Sequence, residues 1–199
     1  MSGINRALWG DMIVMSVRDP AEVARRLIAM QIPREVLWTG LALAAVVNTL
    51  LFSLSGMLMP GPGMGMPMFA SPFSYLVMVT GGLILTVTMI YWAGRMLGGT
   101  GRFDDVLVTV LWMQVLRVLV QVATLVLSLA IPLLAMLLVL VATVLGLYIT
   151  LHFIDQAHRL NSLPKAGGAL ILSILMMAVA LSVLLALFGG VFFGGVSHV

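Results

Sequence analysis

Apolar residues run almost unbroken through most of this chain, with neither the alternation of a half-buried strand nor the one-sided stripe of a soluble helix. Five such stretches, at about 35–58, 72–97, 105–129, 132–154 and 166–193, are each long enough to cross a bilayer. A spanning helix needs about 20 consecutive, predominantly apolar residues. Backbone polar groups must be satisfied within the hydrocarbon, so such stretches become helices. The pattern therefore predicts an all-α, polytopic membrane protein, a five-transmembrane-helix bundle occupying residues 35–193.

Residues 1–34 read differently. Asp19, Pro20 and Glu22 spell a helix start: a capping carboxylate, a proline at the first helical position and an acid in the first turn. The helix that follows puts Ala24, Leu27 and Ile28 on one face and Glu22, Arg25 and Arg26 on a polar one. Ile4, Leu8, Met12 and Met15 repeat at similar spacing. N-terminal amphipathic helices lying in the membrane interface are the expectation, with Arg18, Arg25 and Arg26 as a basic surface for anionic head groups. A docking surface for a partner is the other reading.

Composition agrees. The chain is 62% hydrophobic and 9% charged, against roughly 45–50% and 25% for soluble domains. With no cysteine, disulfides, thiolate metal sites and thiol nucleophiles drop out. The first long apolar stretch follows five arginines, which is too late and too charged for a cleaved signal peptide, so the arm is expected to stay in the mature protein. The arm lacks the interleaved aromatics of a single-strand nucleic-acid binder. Of the ten Lys and Arg residues, only Arg117 lies deep within a span. The others sit in the arm or in the 95–105 and 155–165 loops, whereas the 59–71 and 128–131 loops carry no charge. Basic residues are retained on the cytoplasmic side of short loops. The N-terminus is thus expected in the cytoplasm and the 194–199 tail outside it.

Arg117 is the most informative residue. Gln114, Arg117, Gln121, Thr124 and Ser128 follow at steps of three or four, which gathers them on one side of the third span. An arginine near the bilayer centre costs at least about 2.5–3.5 kcal/mol, so this stripe should face the bundle interior or a wet cavity. No Asp or Glu lies in a predicted membrane centre, which leaves Gln114, Gln121, Asn48, a tyrosine, backbone carbonyls or a lipid phosphate as its partners. A polar clamp between helices and an anion, lipid or substrate site both fit.

Met64, Met66 and Met68 could offer Cu(I) soft thioether ligands, though Pro60, Gly61, Pro62, Gly63 and Pro67 already account for a turn there. His152, Asp155 and His158 are metal-ligating types, but their spacing lacks the i, i+4 pair of a helical zinc motif. Asp104 and Asp105 read as helix-capping groups. Gly94 with Gly98, and Gly190 with Gly194, have the spacing of close helix contacts and leave an oligomer open. Gly61, Gly63 and Gly65 follow no strand and lack the lysine of a phosphate loop.

The layout as a whole resembles the bacterial Yip-domain family. The resemblance rests on the Asp19-Pro20 helix in a basic arm, the five spans, the Leu97-Gly98-Gly99 turn leading through Phe103 into the third span, and the Lys165-Ala166 pair opening the fifth. It covers about residues 6–193. It implies a small five-span protein of the bacterial inner membrane, similar to eukaryotic proteins that interact with Rab-type GTPases, and offers no catalytic residues. The function expected is non-enzymatic and without a cofactor: recruiting or organising partner proteins or lipids. A small transporter or channel component with a path centred on Arg117 is the alternative, and copper handling through the methionine loop is a third.

Overall fold

The structure is a computed structural model that describes residues 6–58 and 71–193, with side chains over 9–58 and 71–187. Seven helices account for nearly all of these residues: α1 (Arg6–Arg18), α2 (Pro20–Ala29), α3 (Arg34–Leu58), α4 (Pro72–Met96), α5 (Phe103–Ala130), α6 (Pro132–His158) and α7 (Leu163–Phe193). The last five are long and apolar enough to cross a membrane. The protein is a multi-pass, all-α membrane protein.

Local chemistry sets the helix ends. The Asp19 carboxylate accepts from the Glu22 amide at 3.0 Å, with Pro20 at the first turn of α2. Ser71 does the same for α4 through the Ser74 amide at 3.1 Å, ahead of Pro72. At α5 the Asp105 carboxylate accepts from the Arg102 amide at 3.1 Å. One residue, Ile131, separates α5 from Pro132. At its far end α6 continues four residues beyond the apolar stretch read from sequence and stops where Arg159 turns left-handed at φ 56°. Hydropathy marks where a helix leaves the hydrocarbon, and the cap marks where it ends.

Helix α5 packs against α2, α3, α4 and α6, while α7 packs on α4 and α6. Buried side chains crowd into the arginine-rich half of each span: Leu37, Leu41 and Ala45 on α3, Val87, Ile90 and Ala93 on α4, Val106, Leu107 and Val110 on α5, Phe153 and Ala157 on α6, and Ala166 and Ala169 on α7. The opposite halves expose large apolar residues such as Leu54, Val126, Leu133 and Leu185. Lipid tails are as apolar as leucine, so packing complementarity holds membrane helices together, not apolar burial itself. Here that complementarity is concentrated at one end.

Glycines make the close approaches at that end. The Cα of Gly94 faces the fully buried His158 ring, and a Cβ on Gly94 would overlap the ring atoms. Gly99 and Gly101 lie equally tight against the last turn of α6, and Thr100 donates to the His158 carbonyl at 2.9 Å. Gly94 thus serves contact within the chain. Gly98 has φ +88°, the left-handed conformation that ends α4. An ionic clasp adds to this end: Arg34 donates to Asp104 at 2.6 Å and stacks over Phe103, and Arg159 reaches Asp105 at 3.6 Å.

One expectation from sequence changes. Val23, Ala24 and Leu27, the apolar face of α2, are buried, and α2 packs on α5 and α6. That face is not left for lipid. Docking on protein satisfies the same amphipathic pattern as the interface would, and sequence does not distinguish the two.

Candidate functional site

A cleft of about 1080 Å³ runs along α5, with walls from α3 and α6. Leu51, Phe52 and Ser55 stand on the α3 side, and Ala142, Gly146 and Ile149 on the α6 side. The stacked rings of Phe52 and Tyr75, 3.9 Å apart, lie at one end. Ile13 and Val17 of α1 close the other. All five residues of the stripe read from sequence, Gln114, Arg117, Gln121, Thr124 and Ser128, line this one cleft.

Arg117 lies roughly 21 Å along α5 from Phe103, near the middle of a helix roughly 42 Å long. The residue is exposed to the cleft, and its guanidinium has no hydrogen bond or ion pair among the described residues. The neutral partners expected from sequence do not reach it. Asn48 is buried and donates to the Ala44 carbonyl of its own helix at 2.9 Å. Gln114, only 8% exposed, has its Oε1 buried without a partner, as do Gln121 Oε1 and Thr124 Oγ1. Each such atom costs about 1–3 kcal/mol if left unsatisfied. A buried cluster of unmet polar atoms beside an unpaired cation marks a place where a ligand or water completes the bonding.

The cleft is otherwise apolar. Its shape and chemistry suit an amphiphile: fixed positive charge and amide groups along one line, hydrocarbon on either side. Serine and threonine hydroxyls on its walls are spent on their own helices, as with Ser55 on the Leu51 carbonyl at 2.7 Å and Thr150 on Gly146 at 2.6 Å.

The end formed by α1 escaped the sequence reading. Trp112 Nε1 donates to Ser16 Oγ at 2.9 Å, Ser16 donates to the Met12 carbonyl at 2.8 Å, and Trp9 stacks on Trp112 with ring centroids 5.4 Å apart. Ser16 is fully buried. A serine on the apolar face of an amphipathic helix was the available signal, but its partner lies 96 residues away.

The remaining candidates are placed as follows. Arg18, Arg25 and Arg26 are exposed, and the last two donate to Glu22 at 2.9 and 2.8 Å. Arg26 and Arg25 hold the Glu22 carboxyl below its ordinary range. Met64, Met66 and Met68 lie outside the described residues, as does the 194–199 tail. His152 and His158 each direct Nδ1 at the carbonyl one turn back, Tyr148 at 2.9 Å and Ile154 at 3.1 Å. Asp155 accepts from the Ser162 amide at 2.8 Å and from Gln156 at 3.0 Å. Asp155 thus ties the end of α6 to the next turn of chain, His152 bonds within its own helix, and His158 keeps a buried Nε2 without a partner among the described residues. A second recess, of about 320 Å³, is lined by Arg34, Arg102, Arg159, Asp104 and Asp105, the members of the clasp.

Fold and cleft together define a multi-pass helical membrane protein whose most distinctive feature is a polar line inside an otherwise apolar groove. The sequence profile of the Yip1 domain matches residues 15–196, nearly the whole chain, and the protein belongs to the Yip1 domain family. No curated protein and no solved structure matches it.

Proposed function

We propose that this protein is a non-enzymatic organiser of membrane lipids, which holds the headgroup of an anionic lipid against Arg117. The observation that carries this reading is the unpaired Arg117 guanidinium beside the orphaned amide oxygen of Gln114 and the further unmet atoms of Gln121 and Thr124. A phosphate supplies charge for the arginine, and its glycerol hydroxyls or bridging waters supply donors for the carbonyl oxygens. Acyl chains suit the apolar walls. The charge asymmetry of the loops supports a bacterial inner-membrane protein with the arginine-rich end in the cytoplasm. There the exposed guanidinium faces of Arg18, Arg25 and Arg26 meet anionic head groups of the inner leaflet.

The test is native mass spectrometry of the full chain from nanodiscs of mixed phosphatidylglycerol and phosphatidylcholine, with Arg117→Leu beside the wild type. A lost charge-assisted hydrogen bond is worth about 1.5–3 kcal/mol, so retention of the anionic lipid should fall by about ten- to a hundredfold. The variant should melt no lower than the wild type, since Arg117 makes no hydrogen bond or ion pair among the described residues. Equal retention of anionic lipid by both proteins would overturn the reading. A collapsed variant would instead make Arg117 a clamp between helices.

A further inference from the structure

The polar groups of the cleft are not gathered around one point. Gln114 and Ser128 stand roughly 21 Å apart along α5, against roughly 30 Å of hydrocarbon in a bilayer. Between them one polar side chain follows another at every helical turn. The unmet atoms of Gln121 and Thr124 lie on the far side of Arg117 from Gln114. A site built only to hold a headgroup would cluster its donors and acceptors; a line of them lets a headgroup exchange one partner for the next. On the opposing α6 wall Thr143 and Thr150 spend their hydroxyls on their own helix, and beside Ala142 a Cβ on Gly146 would meet open space. Apolar residues beside the stripe, Leu119 and Val122 among them, are exposed, so acyl chains can stay in the surrounding bilayer while the headgroup moves.

The line does not run free at both ends. Ile13 and Val17 of α1 line the same cleft, on the helix whose Ser16 bonds to Trp112, two residues before Gln114. The ties of α1 to α5 centre on one residue: the Trp112 indole donates to the buried Ser16 and stacks on Trp9, and among the described side chains of α1 Met12 and Ser16 are buried.

We infer that the cleft passes phospholipid headgroups from one leaflet to the other, with the α5 stripe as the track and α1 as its gate. The inference rests on the lipid-binding reading above and adds movement to it. Charge at Arg117 favours phospholipids with a net negative headgroup. The exchange is passive, with no bond made or broken in the lipid.

The experiment uses the full chain in vesicles of phosphatidylcholine and phosphatidylglycerol carrying a trace of fluorescent phosphatidylglycerol. Dithionite bleaches the outer leaflet, and the slower phase reports probe arriving from the inner one. Ser16→Ala, which removes the hydrogen bond of α1 to Trp112, should quicken that phase roughly two- to tenfold over wild type, the rate equivalent of a lost hydrogen bond. Adding Gln121→Leu, or the isosteric Thr124→Val, should slow it again. Either of the two suffices if the other fails to fold. Vesicles with wild type and Ser16→Ala that both bleach like protein-free ones would overturn the inference, as would a fast phase indifferent to Gln121 and Thr124. A photoreactive phosphatidylglycerol in the same vesicles separates the two readings. Crosslinking to α5 without exchange overturns passage alone, and absence of both overturns binding as well.

Discussion

Gly94 shows how much one missing carbon can hold in place. His158 is buried on every side, so its ring has no room to retreat from a Cβ on Gly94. Gly94→Ala should destabilise the protein by about 1–3 kcal/mol, the usual cost of overpacking. Gly82, in the same helix, meets nothing within 4 Å of a built Cβ, and Gly82→Ala should raise stability by about 0.5–1 kcal/mol through backbone entropy alone. Thermal melting in detergent compares the two, and matching shifts would remove the packing account. In the sequence Gly94 and Gly98 read as a general small-residue spacing. Their tasks differ: the close contact of Gly94 depends on His158 of α6, far along the chain, and the positive φ of Gly98 on the local end of α4. Arg117 divides in the same way: its depth and companions followed from residue spacing, while its lack of a partner among the described residues is a property of the packed bundle.

At the scale of elements, the five spans were legible because each is a long apolar run, and their caps lay within a few residues of the predicted ends. The placement of α2 was not, because one amphipathic face fits both lipid and protein. Its polar face carries a testable signature in Glu22, whose carboxyl Arg26 and Arg25 hold below its ordinary range. A carboxyl with a depressed folded-state pKa contributes stability above its unfolded-state value and loses it as pH falls through the lower, folded-state value. Protection of the α2 amides against hydrogen exchange should therefore weaken on acidification below the ordinary carboxylate range. Glu22→Gln should start weaker and show no such step. A wild type and variant with parallel acid profiles would show that the two ion pairs do not steady the helix. The α1 helix was half legible: its apolar repeat was plain, but nothing local linked Ser16 and Trp9 to Trp112.

Across the whole molecule, the most informative feature is the uneven distribution of packing. The arginine-rich ends of the spans share a core, a set of close glycines and an ionic clasp, whereas the opposite ends present apolar side chains outward. Loop charge read from sequence carries the expectation that the tight end is cytoplasmic. A reporter active only outside the cytoplasm should work when fused after Val199 and stay silent at Asn161 in the α6–α7 loop; the reverse result would invert the protein in the membrane. The family profile spans arm and bundle together from residue 15, in keeping with an arm that packs as part of the bundle.

That packing also carries a consequence for how the protein is made. The arm leaves the ribosome first, but the surfaces it docks on belong to α5 and α6, whose residues follow roughly a hundred positions later. At about 5–20 residues per second, the arm waits on the order of ten seconds for its seat. Throughout that interval the bilayer surface is the nearest place to cover Val23, Ala24 and Leu27. The arm's apolar face is thus matched to a seat that does not exist until α5 and α6 have been made.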